Sequence, residues 1–397
     1  MEPCAPTPSE LDSATIFATI PPLVSASSHR PVRILILTAS MGEGHNTAAR
    51  NIKNALALES PHGIETLVVD PYTRTNPVVN RLIQRGYAAA INNYPRLWKS
   101  VFALLSSPKV IEGMSPLLKQ LIDAVHGLLH EFKPDLVAST YPVFGYVMEK
   151  IQTAEPAMRK PFYTVITDST MINQTWYRYP CDGAIVADEP TAQVLRRDGV
   201  DHDRIHTLGF PVGLEFDEFL PAPPPGDGQW RVIFFPGGPN ERAIRTLQML
   251  AEIDNLHTTV VTGRREDARS AIARAGLPRR GELIGWTDQM PALMGSHHLF
   301  IGKAGGATVQ EAIAAQIPFV VNHIVPGQEE GNIALIQQTA IGALAAGRAE
   351  HVVDIVKGAI ANDGALWRAW RRNLLQLQKP SASRAIARFL IEKASAA

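Results

Sequence analysis

Cysteine is nearly missing from this chain: Cys4 and Cys181 are the only two in 397 residues. A disulfide framework is therefore not expected, and a reducing cytoplasm fits. No zinc-type combination of cysteines with histidines stands out, and no metal site is expected. No uninterrupted apolar run of about 20 residues exists to span a bilayer. Charge of either sign is also missing in the balance, with 38 Lys/Arg against 38 Asp/Glu, so the whole chain leans toward neither nucleic acid nor membrane. The first 30 residues carry no Lys or Arg before Arg30 and are rich in Pro, Ser, Thr and Ala. They suit a disordered tail better than a secretory signal.

What is present is a folded composition, 45% apolar and 19% charged, long enough for two domains. Val32 to Thr38 is a continuous apolar run followed by a glycine-containing turn and a helical pattern, the opening of a parallel βα unit. Thr66–Val69, Leu136–Ser139, Tyr163–Thr167 and Gly183–Val186 continue it. The proline-rich stretch from Phe216 to Gln229 interrupts the alternation as a linker. Strands are then expected at Arg231–Phe235, Thr258–Thr262, Leu299–Ile301 and Phe319–Asn322, with helices at Arg242–Ile253 and Val309–Ala315. The expected division is a tail at 1–30, a domain at 31–215, a linker at 216–229, a domain at 230–380, and a helix at 381–397 across the domain junction. Both domains read as doubly wound α/β, with the ligand cleft between them.

The most informative stretch runs from Gly302 to Asn332. Lys303-Ala304-Gly305-Gly306-Ala307-Thr308 is a small-residue turn leading into a helix, where backbone N–H groups and the helix dipole suit a diphosphate. Glu311, one turn along, is a candidate for a vicinal diol such as ribose. Pro326 to Asn332 adds a cluster of amides and carboxylates able to bind hydroxyls. Taken singly, each of these residues could equally be a solvated loop or a helix cap. In the first domain, His45 follows the Gly42-Glu43-Gly44 turn at a helix N-terminus. There the dipole disfavours imidazolium and leaves a neutral ring able to accept a proton. The alternative is a histidine that caps the helix or bonds the backbone.

Arg74 to Lys133 carries eight Lys/Arg against three Asp/Glu, interleaved with Tyr87, Tyr94, Leu97, Trp98, Phe102, Leu104 and Leu105. Such a mix suits an anionic membrane surface, or else an ordinary helix pair with its apolar stripe in the core. The Trp367-Arg368-Ala369-Trp370-Arg371-Arg372 cluster has no accompanying nucleic-acid motif and reads as helix packing.

From about Val32 to Ile336 the chain resembles the bacterial and plant diacylglycerol glycosyltransferases, the monogalactosyldiacylglycerol synthase and processive glucosyltransferase group of glycosyltransferase family 28. The landmarks are Gly42 to His45, Tyr94 to Lys99, Pro134-Asp135, Thr167-Asp168 with Trp176, Gly209 to Val212, Pro236-Gly237-Gly238, Gly263-Arg264, Gly285-Trp286, Lys303 to Thr308 and Pro326 to Asn332. The resemblance implies a GT-B fold, with two Rossmann-like parallel-sheet domains facing a central cleft. It implies an inverting transfer of a hexose from a UDP-sugar to a lipid acceptor such as diacylglycerol. It also implies peripheral attachment at the inner face of the plasma membrane.

By position, His45 is then the general base. Gly305, Gly306 and Thr308 correspond to the diphosphate contact and Glu311 to the ribose contact. Gln328, Glu329 and Asn332 correspond to residues around donor sugar and ribose, and Gly285 to Thr287, with Trp286 between them, should lie along the uracil edge. Gly237, Gly238 and Arg264 complete the donor side, with Gly42, Gly44, Asp168 and Trp176 on the acceptor side. No cofactor, metal or nucleic acid is implied.

Three departures fall on the acceptor half: Glu43 interrupts the glycines, Asn173 stands where a histidine is usual, and Tyr141 stands where the plant branch has histidine. Alternative readings are an N-acetylglucosamine transferase acting on a polyprenyl-linked precursor, a sugar-nucleotide epimerase, and a non-catalytic UDP-sugar-binding protein.

Overall fold

The structure is a computed structural model. It describes residues 30–41, 43–75, 115–217, 220–226, 228–277, 280–325, 329–345, 347–377, 379 and 381–396. The landmark at Tyr94 to Lys99 and the named aromatic and leucine residues of the basic stretch lie outside the described residues, as do Gly42 and Gln328.

The first sheet holds β1 (Val32–Leu37), β2 (Ile64–Val69), β3 (Leu136–Ser139), β4 (Phe162–Val165), β5 (Gly183–Val186) and β6 (Ile205–Thr207), in the order β2-β1-β3-β4-β5-β6. The pairings are parallel throughout. Strands of such a sheet are buried on both faces, which is why they read as unbroken apolar runs rather than alternating ones. Successive side chains of β1 illustrate this: Leu35 and Leu37 pack against α2 (Ser115–Phe132) and α3 (Phe144–Ala154). Ile34 and Ile36 pack on the other face against α1 (Glu43–Glu59), through Ile52 and Leu56.

The second sheet holds β7 (Trp230–Phe234), β8 (Leu256–Val261), β9 (Gly281–Ile284), β10 (Leu299–Lys303), β11 (Phe319–His323) and β12 (Gly342–Leu344), in the order β12-β11-β10-β7-β8-β9. It too is parallel. Its helices include α4 (Asn240–Leu250), α5 (Glu266–Ala275), α6 (Gly306–Ala314) and α7 (Glu330–Gln338). A buried apolar cluster runs across the junction, joining Ala48, Ala187, Phe210 and Val212 of the first half to Val309, Phe319 and Ile333 of the second.

The linker is anchored to the second half, with Arg371 donating to the Ala222 carbonyl and His298 Nε2 donating to that of Pro223 at 3.1 Å. The closing helix α8 (Ala382–Ser395) lies on the first sheet, burying Ile386, Ala387 and Leu390 beside Ala49 and Ile52. Its Arg384 reaches Asp217 at 2.8 Å and its Arg388 reaches Glu59 at 2.6 Å.

Candidate functional site

In each sheet the chain leaves two neighbouring strands in opposite directions, and ligands of open α/β sheets bind in the crevice this creates at the strands' carboxyl ends. In the first sheet that crevice lies between β1 and β3, in the second between β7 and β10. The two crevices face each other. A Cβ added at Gly306 would sit 3.2 Å from the Thr167 carbonyl oxygen, and one at Gly44 would sit 4.0 Å from Ala307 Cβ. Glycine at 306 is what lets the N-terminus of α6 approach the first domain's backbone so closely.

His45 stands in the first turn of α1, after β1. Its Nδ1 lies 2.8 Å from the Thr140 carbonyl oxygen, at the end of β3. A carbonyl can only accept, so Nδ1 carries the proton and Nε2 is the basic nitrogen. Thr167 Oγ1 lies 2.8 Å from the same Nδ1 and fixes the ring further. Tyr141 meets the imidazole edge to face at 5.0 Å between ring centres. Burial lowers the His45 pKa, while the neighbouring Asp168 carboxyl and the Thr140 bond oppose the fall. Asp168 is shifted upward by burial, against the pull of His45 and of the Trp176 indole, whose N–H donates to Asp168 Oδ2 at 2.6 Å. The outcome is a neutral imidazole with an oriented lone pair.

Two of the three departures, Asn173 and Tyr141, have local explanations. Asn173 Oδ1 accepts from the Thr175 N–H at 3.0 Å and from its hydroxyl at 2.6 Å, capping the short 3-10 turn Gln174–Trp176 that presents the indole. Tyr141 joins an aromatic cluster with Tyr72 and Phe144.

On the facing wall, Gly305 is the N-cap of α6, and Gly306, Ala307 and Thr308 form its first turn. The N–H groups of a helix's first turn have no acceptor within the helix, so this end presents donors and a positive dipole to the crevice. Across it, the Pro236-Gly237-Gly238 turn after β7 is braced from behind. Arg242 donates to the Gly237 carbonyl at 3.1 Å, and Arg265 donates to those of Pro236 and Gly238 at 3.3 and 3.2 Å. Gly238 has φ +72, which favours glycine, and a Cβ at Gly237 would meet His323 Cβ at 2.5 Å.

Glu311 lies on the second turn of α6. Burial, with the Glu215 carboxylate nearby, raises its pKa to about 7. Glu329 is 4% exposed; its Oε1 lies 3.1 Å from Lys303 Nζ and its Oε2 accepts from the Val325 N–H at 3.0 Å. It therefore ties Val325 to the end of β10. Asn332 donates to the Ala304 carbonyl at 2.9 Å, and its buried Oδ1 has no partner among the described residues. Arg264 stands over the exposed Trp286 ring at 6.0 Å, and Gly285 precedes that tryptophan.

The structure thus gathers His45, Asp168 and Trp176 on one wall, and Gly305, Gly306, Thr308, Glu311, Glu329 and Asn332 on the other. Arg264 and Trp286 pair separately, at the ends of β8 and β9. Sequence reasoning missed Thr140, Arg242, Arg265, His323 and Glu215, and it named Thr167 only as part of a landmark, without its contact to His45. Thr140 follows a strand whose carboxyl end could have signalled it, but only once strand order was known.

Two doubly wound parallel sheets facing across such a cleft define the GT-B glycosyltransferase fold. Solved structures share it: Acinetobacter baumannii MurG covers 91% of this chain and all of its own, with TM-score 0.60 at 14% identity. A UDP-glucosyltransferase from Polygonum tinctorium covers 93% and 99%, with TM-score 0.61 at 12% identity. Within this fold, residues 45–212 match the family model described as monogalactosyldiacylglycerol (MGDG) synthase. Monogalactosyldiacylglycerol synthase 2 of Arabidopsis thaliana is 24% identical over 339 residues, spanning 81% of this chain and 72% of its own length. A probable monogalactosyldiacylglycerol synthase 2 of Oryza sativa subsp. japonica is 26% identical over 387 residues, spanning 88% and 78%.

Proposed function

We propose that this protein is an inverting glycosyltransferase that moves a hexose from a UDP-sugar to the hydroxyl of a lipid acceptor of the diacylglycerol class. The observation that carries the proposal is the pairing of a neutral, oriented His45, basic at Nε2, with the N-terminus of α6 across the cleft. The names of the MGDG synthase relatives support the donor and acceptor classes.

In this mechanism the acceptor oxygen bonds to the anomeric carbon as the bond from that carbon to the diphosphate breaks on the opposite face. The hydroxyl proton passes to His45 Nε2, and the electron pair leaves on UDP. The N–H groups of Gly306, Ala307 and Thr308 stabilise the departing diphosphate. Glu311 reads the ribose hydroxyls, Asn332 Oδ1 and Gln328 contact the donor, and Glu329 positions Lys303 beside the diphosphate. Gly237 and Gly238 close the cradle, and Arg264 with Gly285 and Trp286 flanks the uracil. Residues 31–215 serve as the acceptor domain and 230–380 as the donor domain.

The acceptor enters from the bilayer, with the basic 74–133 stretch as the docking surface at the inner face of the plasma membrane. No described helix is long and apolar enough to cross a membrane. Liposome flotation tests the docking: retention that ignores both anionic lipid and salt would remove it. The activity is tested by turnover of UDP-galactose or UDP-glucose with diacylglycerol in detergent. UDP-sugar binding without transfer to any lipid would instead favour a non-catalytic binding protein.

A further inference from the structure

Outside the cleft, on the flank of the first domain, two histidines and a glutamate converge on one point. His126 and His130 are one turn apart on α2, four residues in sequence, so their side chains share a face of the helix. Glu155 is the residue that ends α3, packed alongside. His126 Nε2 lies 2.8 Å from Glu155 Oε2 and 3.3 Å from His130 Nε2, and His130 Nε2 lies 3.9 Å from the same Oε2. The rings stand nearly perpendicular, with centres 4.6 Å apart.

We propose that His126, His130 and Glu155 form a binding site for a divalent transition-metal cation of the Zn²⁺ class. Zinc takes imidazole nitrogen and carboxylate oxygen at about 2.0–2.2 Å in tetrahedral geometry, which puts neighbouring ligand atoms about 3.3 to 3.5 Å apart. The three separations found here, 2.8, 3.3 and 3.9 Å, bracket that spacing without any backbone movement. Two imidazoles with one carboxylate select borderline transition metals over Ca²⁺ or Mg²⁺, which prefer all-oxygen sets. The three side chains are 39%, 53% and 44% exposed, so a cation can enter and water can fill the fourth position.

The site is a brace rather than a catalytic centre. α3 runs from Phe144, which packs against Tyr141 of the His45 wall, to Ala154, and its 11 residues put the two ends about 16 Å apart. A cation held by two ligands from α2 and one from the end of α3 clamps two helices that cover one face of the first sheet. Without metal, the same atoms form a histidine–glutamate pair beside a second histidine.

The experiment is titration of the purified full chain, free of any histidine tag, with ZnCl₂ by calorimetry. Co²⁺ absorption reports the geometry in parallel. One equivalent is expected to bind in the micromolar range, with a tetrahedral cobalt spectrum and a Tm rise of a few degrees. Affinity should fall as pH drops, because protons compete for the imidazoles. His130→Ala and His126→Ala should each weaken binding at least tenfold. Glu155→Gln, which keeps the cap's shape, should weaken it less and alter the cobalt spectrum. Far-UV circular dichroism of each variant shows whether it still folds. Zinc affinity unchanged in a folded His126→Ala/His130→Ala variant would overturn the proposal, as would no binding by the parent chain below millimolar zinc.

Discussion

His45 Nδ1 and the Thr140 carbonyl lie 2.8 Å apart, joining the first turn of α1 to the end of β3 across the sheet's crevice. That bond fixes which ring nitrogen can take a proton. Replacing His45 by Ala is expected to lower kcat by about 10²–10⁴-fold, the usual contribution of a positioned base, and to leave UDP affinity within about twofold. Steady-state kinetics with a UDP-binding titration checks this. A variant with full kcat would remove His45 as the base.

Asp168 opposes the fall of the His45 pKa, since its carboxyl favours imidazolium. In Asp168→Asn that opposition is gone, so burial carries the histidine pKa lower still. The base then stays deprotonated to more acidic pH, and the acid limb of kcat/KM should move to lower pH. A limb moving to higher pH would show that the carboxyl does not act on His45 electrostatically. The Trp176 contact is kept, because an amide oxygen still accepts from the indole.

Much of this wall could be read in advance, and the reason is instructive. β3 and β5 begin and end where their apolar runs do, because a strand covered on both faces has no alternation to blur its limits. β6, β9 and β12 were not anticipated. They are sheet-edge strands of three or four residues, and half-buried side chains dominate them, so their pattern merges with that of loops. His45 and the Gly305-Gly306 turn stood out because their chemistry is local. Thr140 did not, because its meaning depends on which strands are neighbours. Glu329 stood out by its type as a sugar reader, whereas its burial and its ion pair with Lys303 depend on the fold and were not legible.

Lys303 is the ion partner of a carboxylate whose side chain is only 5% exposed. In Lys303→Met the carboxylate keeps the Val325 N–H but loses its counter-charge. Because the lysine itself is half exposed, the loss should be about 1–3 kcal/mol, below that for a fully buried pair. Donor KM should also rise, because the proposed site loses the cation beside the diphosphate. Urea denaturation and donor titration measure the two effects separately.

Glu311 makes the stability of the fold depend on pH. Its folded pKa is raised to about 7, above that of a free glutamate, near 4.3. The folded empty protein therefore binds more protons than the unfolded chain between those limits, and stability falls as pH rises through that window. Glu311→Gln removes the cost, so its Tm should exceed the parent's at pH 8 and converge with it below pH 4. The same substitution should raise donor KM by about tenfold, because an amide is a weaker acceptor for two ribose hydroxyls. A Tm difference independent of pH would mean that the carboxyl does not ionise in this window.

Gly331 tests whether closure matters. It sits in the first turn of α7, where an added Cβ would overlap the Ser169 carbonyl and lie 2.9 Å from the Met171 nitrogen. Both are backbone atoms of the opposite domain, and the same contact is held by Thr170 Oγ1 donating to the Gly331 carbonyl at 2.7 Å. Neither neighbour can turn aside as a side chain could, so Gly331→Ala must part the domains at this point. Each sheet keeps its own core, so secondary structure should persist while kcat falls by at least tenfold, because His45 and the α6 terminus no longer meet at the required spacing. Circular dichroism, small-angle scattering and kinetics together decide it. An unchanged radius of gyration with full activity would show that the catalytic arrangement does not need this contact.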